Sequence, residues 1–200
     1  TYWRIYALGE FASLSKLVFN NWKVGRVEHT EDWSMLCGLD FGFINDPTAF
    51  IVSFLNEESN TLYIAREFVK TGLLNDKIAT IICELGFGKS TIIADSAEQK
   101  SIEELKRSGL YRIYPASKGQ GSILQGLQKL EQYDIIVDPS CTHTITELEN
   151  YAWKKDKATG EYINTPIDEF NHCIDALRYS LQCLEKYKKM GTISKSAFGL

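Results

Sequence analysis

Three aspartates stand at positions where an aspartate can do chemistry. Asp40 closes the apolar stretch Met35 to Asp40, and Asp95 closes Ile92-Ile93-Ala94. Each is therefore expected at the carboxyl end of a strand, the side on which open α/β sheets bind their ligands. Asp175 lies much further along, in Asn171-His172-Cys173-Ile174-Asp175-Ala176-Leu177-Arg178-Tyr179. If the three converge, they form an oxygen-rich nest suited to Mg²⁺ or Mn²⁺, hard cations that favour carboxylate and water ligands. Two such ions roughly 3.5–4 Å apart stabilise the attacking and leaving oxygens in phosphodiester hydrolysis, with one carboxylate bridging them. Asp40 is the candidate bridge. Without a cation the three would repel one another and raise at least one pKa.

Each residue also has a plainer reading. Aspartates at strand ends commonly start turns or cap helices, and Asp138 in Asp138-Pro139-Ser140 is read as such a turn residue. On a helical wheel Asp175 falls away from the stripe Ile174, Leu177 and Leu181, which leaves a solvated position open. The opposite side holds Ala176, Tyr179 and Cys183, so this helix is also able to pack on two faces. His172, three residues before Asp175, shares its side of the helix. It is either a ligand or proton-handling group, or a surface or hydrogen-bonded histidine. Two tempting motifs fail. Gly88-Lys89-Ser90 lacks the first glycine of a phosphate loop, because that position is Cys83, and Asp40-Phe41-Gly42 has none of the other kinase segments around it.

The elements that must position these residues follow from periodicity. Met35–Asp40, Thr48–Leu55 and Thr61–Val69 read as a meander of three strands, the last two separated by the polar turn Asn56 to Asn60. Leu74 to Leu85 has helical spacing and is ended by Gly86 and Gly88. Ser90–Asp95 is a strand. Ser96 with Gln99 fits a capping box for a helix over Gln99–Arg107. Tyr111–Pro115 is a short strand, Ile123 to Leu130 a helix, Asp134–Val137 is counted as the fifth strand, and Ile145, Leu148 and Tyr151 line another helix. Trp153–Thr165 reads as an exposed hairpin or loop, and a long helix is expected over Asp168–Lys188. The fold class is α/β, with a five-stranded mixed sheet, an antiparallel meander plus parallel strands, flanked by helices.

Composition sets the outer bounds. Two hundred residues with 44% hydrophobic and 24% charged content suit one globular domain with a substantial core. Nothing reads as a membrane span or a secretory signal, so no membrane partner is expected. The five cysteines are odd in number and form no C-x-x-C pair, so they are read as small core residues and not as disulfides or zinc ligands. The net charge of −4 argues against a broad basic grip on nucleic acid. It leaves room for bound cations and a local basic strip to face phosphates. The chain opens at Thr1 without a methionine, which suggests a fragment excised from something longer.

Gly38-Leu39-Asp40-Phe41-Gly42, Asn45-Asp46-Pro47-Thr48-Ala49, Ile93-Ala94-Asp95-Ser96-Ala97-Glu98 and the Asn171–Tyr179 block together resemble the signature blocks of the nuclease domain of tailed-phage terminase large subunits, of ribonuclease H-like fold. The resemblance spans about residues 35 to 185. It implies an endonuclease that cuts concatemeric double-stranded DNA at the start and end of head filling, in the host cytoplasm. Two Mg²⁺ or Mn²⁺ ions would be held by Asp40, Asp95 and Asp175. It implies an upstream ATPase domain in the same subunit, with portal and terminase small subunit as partners. It divides the chain into a lead-in over 1–31, the nuclease domain over 32–190 and a tail over 191–200. Asp46 and His172 match positions near the site. Glu98 lies three residues past Asp95, and which of the two reaches metal stays open. Lys118 matches a recurrent lysine and is either a phosphate contact or a solvated loop lysine. The stretch Trp153–Thr165, with Lys154, Lys155 and Lys157, resembles a hairpin near the nuclease cleft. The alternatives are a junction-resolving nuclease of the same fold, a non-catalytic module docking on a motor or portal, and an actin-like nucleotide-binding domain. The chain is too short for the two lobes of the last.

Overall fold

The computed structural model describes residues 16–185. The aromatic lead-in residues Tyr2, Trp3 and Tyr6, positions 186–188 of the expected closing helix and the tail 191–200 lie outside the described residues. The elements run β1 (Trp22–Val24), β2 (Ser34–Asp40), β3 (Thr48–Asn56), β4 (Thr61–Lys70), α1 (Asn75–Glu84), β5 (Ile92–Ala94), α2 (Gln99–Arg107), β6 (Ile113–Pro115), α3 (Ser122–Glu131), β7 (Asp134–Val137), α4 (Thr142–Asn150), β8 (Trp153–Lys155), β9 (Tyr162–Pro166) and α5 (His172–Ser180).

The main sheet has the order β1-β7-β4-β3-β2-β5-β6. β3 runs antiparallel to β2 and β4, whereas β2, β5 and β6 are parallel to one another, as are β4, β7 and β1. The α/β class, the meander and the mixed sheet are as expected, but the sheet holds seven strands and not five. Both edge strands have three residues; Ile113–Pro115 lies within a segment already read as a short strand, and Trp22–Val24 is the one not expected. Ile113–Pro115 pairs fully with β5, and Trp22–Val24 pairs with β7. A strand this short, with Lys23 at its centre, carries no period-2 signal to be read.

Side chains alternate across the sheet and feed two separate cores. Leu36, Ala49 and Ile51 point to the side covered by α3, α4 and α5, where Leu127, Leu130, Leu148, Ile174 and Leu177 meet them. Cys37, Leu39, Phe50 and Val52 point to the other side, against Ile78 and Ile82 of α1 and Ile102 and Leu105 of α2. Helices on both faces explain why β2 and β3 are almost continuously buried. Val18 and Phe19, in the stretch read as a lead-in, are also buried in the first core. Four cysteines are buried and Cys83 is exposed, so the core assignment fails for that one. It sits on the outer face of α1, beyond the buried residues Ile78, Ala79 and Ile82.

Helix ends show where local signals hold. α1 stops in a Schellman arrangement, with Gly86 N–H donating to Cys83 and Phe87 N–H to Ile82. Gly86 takes φ +93°, a conformation that costs glycine little. The capping box does not form. Glu98 occupies the cap position of α2, and the Gln99 amide donates to the Ser96 carbonyl at 3.0 Å. α5 begins at His172 and not near Asp168, because Phe170 adopts a left-handed φ of 58° that interrupts helical geometry just before it.

Candidate active site

The sheet register sets Asp40 and Asp95 side by side. Leu39 pairs with Ala94 across the parallel β2–β5 ladder, and the Asp95 amide donates to the Leu39 carbonyl at 3.0 Å. Both aspartates thus leave the sheet at the same carboxyl edge. α5 crosses the same region, packing on β2, β3 and β5. Its approach depends on Gly38, where a Cβ would fall 1.8 Å from the Ala176 carbonyl oxygen. With no side chain at Gly38, the backbone beside Asp175 lies directly on the strand that ends in Asp40. The Asp175 side chain is only 19% exposed, which corrects the solvated reading.

Each carboxylate has a basic partner of its own. His172 Nδ1 lies 3.1 Å from Asp40 Oδ2, and its Nε2 lies 3.9 Å from Asp46. The Lys118 ammonium pairs with Asp95, which also accepts from the Ala97 amide at 2.8 Å. Lys118 is thus neither a free loop lysine nor turned toward an open phosphate position. The Arg178 guanidinium donates twice to Asp175 Oδ1, at 3.0 and 2.8 Å. Lys118 Nζ and the Arg178 guanidinium carbon each lie 5.2 Å from the Tyr179 ring centroid, so one ring meets both cations.

Electrostatics register the convergence. Burial pushes the Asp40 carboxyl up to about 6; the His172 hydrogen bond opposes this, while the charges of Asp175 and Asp95 add to it. The Tyr179 phenol is raised first by burial and then by Asp175, Asp40 and Asp95 in turn, so one side chain senses all three. His172 is raised chiefly by its bond to Asp40, against burial, with further contributions from Asp40, Glu147 and Asp46 charges. As the side chains stand, no three His, Cys, Asp or Glu groups among the described residues are close enough to hold a metal ion. The expected oxygen nest is a cluster in which every acid is turned onto a basic side chain. Its chemistry still fits a hard divalent ion. The donors are carboxylates, and burial, with the charges of Asp175 and Asp95 adding to it, drives Asp40 toward protonation, a cost that a divalent cation would relieve.

The secondary candidates divide. Asp46 stands beside His172 in the loop after β2, which Thr48 Oγ1 pins by bonding both the amide and the carbonyl of Gly42. Glu98 turns to Ser101 Oγ at 3.2 Å and does not join the three acids. Asp46 and Glu98 instead flank a cavity of about 470 Å³ lined also by Phe41, Leu73 and Asn75. The hairpin β8–β9 forms as a separate two-stranded sheet. On it Lys154 pairs with Asp168 at 2.7 Å and Lys155 lies 5.9 Å from the Tyr162 ring, while Lys157 is exposed at the turn. No contact brings these three lysines to the carboxylates. Asp138 is a turn residue as read, accepting from Ser140 and from Tyr63. Sequence reading missed Arg178, Tyr179 and Gly38 as site residues. An arginine three positions after a helical aspartate is a local signal for the first.

Residues 40–183, from the first of the three aspartates to just beyond the third, match the family described as terminase RNAseH like domain. The chain belongs to this family. Among curated relatives, the terminase large subunit of Bacillus phage SPP1 is 36% identical over 160 residues, covering 78% of this chain and 37% of that protein. The chain thus spans about a third of that relative's length. Among solved structures, the SPP1 large-terminase nuclease domain with bound Mn superimposes with a TM-score of 0.75 at 32% identity, covering 82% of this chain and 97% of that one. The large terminase nuclease of thermophilic phage G20c with bound magnesium gives a TM-score of 0.59 at 19% identity, covering 82% and 96%, a likeness of fold. This terminase domain therefore has the ribonuclease H-like fold read from its signature blocks.

Proposed function

We propose that this domain is a divalent-metal-dependent endonuclease that hydrolyses phosphodiester bonds of double-stranded DNA, with Asp40, Asp95 and Asp175 holding two Mg²⁺ or Mn²⁺ ions. The observation that carries the reading is the placement of Asp40 and Asp95 side by side at one sheet edge, with the helix bearing Asp175 packed on the same strands. The similar SPP1 nuclease domain with bound Mn supports the choice of ion. Bound at this site, the ions would stabilise the attacking and leaving oxygens of the phosphodiester.

The chain's own residues do the rest. Asp40, at the end of β2 and the most buried of the three, would be the ligand shared by the ions. His172 holds the orientation of Asp40 through Nδ1, and that bond raises the affinity of the imidazole for a proton. Arg178 fixes Asp175 from below by a fork of two hydrogen bonds to one oxygen, leaving the other oxygen unengaged by Arg178. Lys118, paired with Asp95 here, would be available to the phosphate where Asp95 held a cation instead. In the overall reaction a water oxygen bonds to phosphorus, one P–O ester bond breaks, and the leaving oxygen takes up a proton. No covalent bond to the protein forms.

In the virus this domain would cut concatemeric DNA at the start and end of head filling in the host cytoplasm. It would follow an ATPase domain of the same subunit and work with portal and small subunit. No helix among the described residues is long and apolar enough to cross a membrane. The test is plasmid cleavage by the purified protein. Nicking and linearisation with Mn²⁺ or Mg²⁺, abolished by EDTA and by Asp40→Asn, are expected. Intact plasmid under every metal condition would favour a docking module, and preference for four-way junctions would favour a resolvase.

A further inference from the structure

α5 carries both His172 and Asp175, yet its own cap residue, Asn171, makes no side-chain capping bond. The first-turn amides are satisfied from elsewhere. Glu147, 26 residues earlier in α4, accepts from Cys173 N–H through Oε1 and from Ile174 N–H through Oε2, both at 3.0 Å. Glu147 is only 7% exposed. A carboxylate buried this deeply is costly unless it is satisfied, and here its two oxygens meet the positive end of a helix.

The same device recurs one step back. α4 also lacks a side-chain bond from its cap residue, Cys141. Glu67, on β4, accepts from His143 N–H and Thr144 N–H at 2.8 Å each and from the Thr144 hydroxyl at 2.7 Å. Two glutamates thus perform one operation in series. The sheet grips the start of α4 through Glu67, and α4 grips the start of α5 through Glu147. β4 lies two strands from β2, which ends in Asp40. The chain of contacts therefore begins on the sheet that holds Asp40 and finishes on the helical turn that holds His172 and Asp175.

We infer that Glu147, backed by Glu67, is a positioning residue for the active site: it fixes the first turn of α5 so that His172 and Asp175 meet Asp40. This rests on the nuclease reading for its catalytic consequence. The geometry favours such a role over simple helix stability. The two amides held by Glu147 belong to the residues lying between His172 and Asp175. Both the axial position and the rotation of that turn are set at the point where the acids must converge. Charge-assisted hydrogen bonds of this kind are directional as well as strong.

The experiment uses this chain with Glu147→Gln, Glu147→Ala and Glu67→Ala. It reads Mn²⁺ affinity by calorimetry, plasmid cleavage as kcat and KM separately, and hydrogen exchange of the Cys173 and Ile174 amides. Glu147→Ala is expected to weaken Mn²⁺ binding and kcat by about 10–100-fold, the range for groups that orient metal ligands. KM for DNA should stay within about twofold, because the residue touches no DNA, and exchange at the two amides should rise at least about tenfold. Glu147→Gln, which keeps one acceptor oxygen, should recover part of each loss, and Glu67→Ala should give a smaller loss of the same kind. Should Glu147→Ala not fold, the other two variants carry the same reading. Unchanged exchange at Cys173 and Ile174, or unchanged Mn²⁺ affinity and kcat in these variants, overturns the inference. A parent protein that binds no Mn²⁺ and cuts no DNA would instead overturn the nuclease reading, with the exchange measurement still deciding whether Glu147 holds the turn.

Discussion

His172 Nδ1 and Asp40 Oδ2 lie 3.1 Å apart across 132 residues of chain, and each shifts the other's protonation. Burial raises Asp40 to about 6 even though His172 opposes the change. Its ionised form is therefore disfavoured in the folded, metal-free protein. An acid whose folded pKa is raised contributes stability in full below its unfolded pKa and loses it as pH climbs through the folded value. For Asp40 that window runs from about 4 to about 6. At pH 7 Asp40→Asn should raise metal-free stability by up to about 3 kcal/mol, and near pH 4 it should have almost no effect. Urea unfolding in chelator at the two pH values measures this. A destabilised Asp40→Asn at pH 7 would show that the charge is not the costly element.

His172 carries the same sign. Its folded pKa is raised, so its contribution is complete below its unfolded value near 6.5 and fades as pH rises through the folded one. Above neutrality His172→Ala should therefore cost progressively less stability. NMR titration of the imidazole should return toward its ordinary range in Asp40→Asn, since the bond to Asp40 is the chief cause of its shift.

Arg178 is buried against Asp175 and Tyr179, and its removal would leave Asp175 without its cation. Arg178→Met should cost about 3 kcal/mol, the scale for breaking a mostly buried pair from one side. The double variant Arg178→Met with Asp175→Leu should recover most of that loss. Chemical denaturation of the two variants decides it, and equal instability in both would point to packing at Gly126, where an added Cβ would fall 2.9 Å from the arginine stem.

Gly38→Ala tests how the third acid is delivered. The added Cβ meets the backbone carbonyl of Ala176, which has no rotamer with which to withdraw. A loss of at least about 1–3 kcal/mol is expected from overpacking, together with loss of DNA cleavage as α5 lifts from β2. A folded Gly38→Ala protein with full activity would show that α5 and β2 need not touch there.

Much of this was legible because it is local. Apolar runs ending in aspartate gave Asp40 and Asp95 their strand-end positions, and the parallel register that pairs Leu39 with Ala94 follows from that fold. Asp175 was harder. Its helical wheel leaves a solvated position and a second packed face equally open, and the resemblance of the Asn171–Tyr179 block favours the second. The wheel cannot choose because it follows hydrophobic side chains, whereas α5 approaches β2 through the absence of a side chain at Gly38. Glu147 and Glu67 could not be read at all. They cap helices 26 and 76 residues away from themselves, and only the fold brings them there. The capping box at Ser96 was misread for the converse reason: the pattern was present, but the turn that holds Asp95 against Lys118 and the Ala97 amide took precedence over it.

Titration of divalent cation into the protein bears most directly on the three acids. Mn²⁺ binding followed by calorimetry should be clear in the parent chain and weakened at least about tenfold in each of Asp40→Asn, Asp95→Asn and Asp175→Asn, with all three still folded. Equal Mn²⁺ affinity in the parent and in the Asp175→Asn protein would contradict a shared site, because it would leave the helix-borne carboxylate outside the cluster.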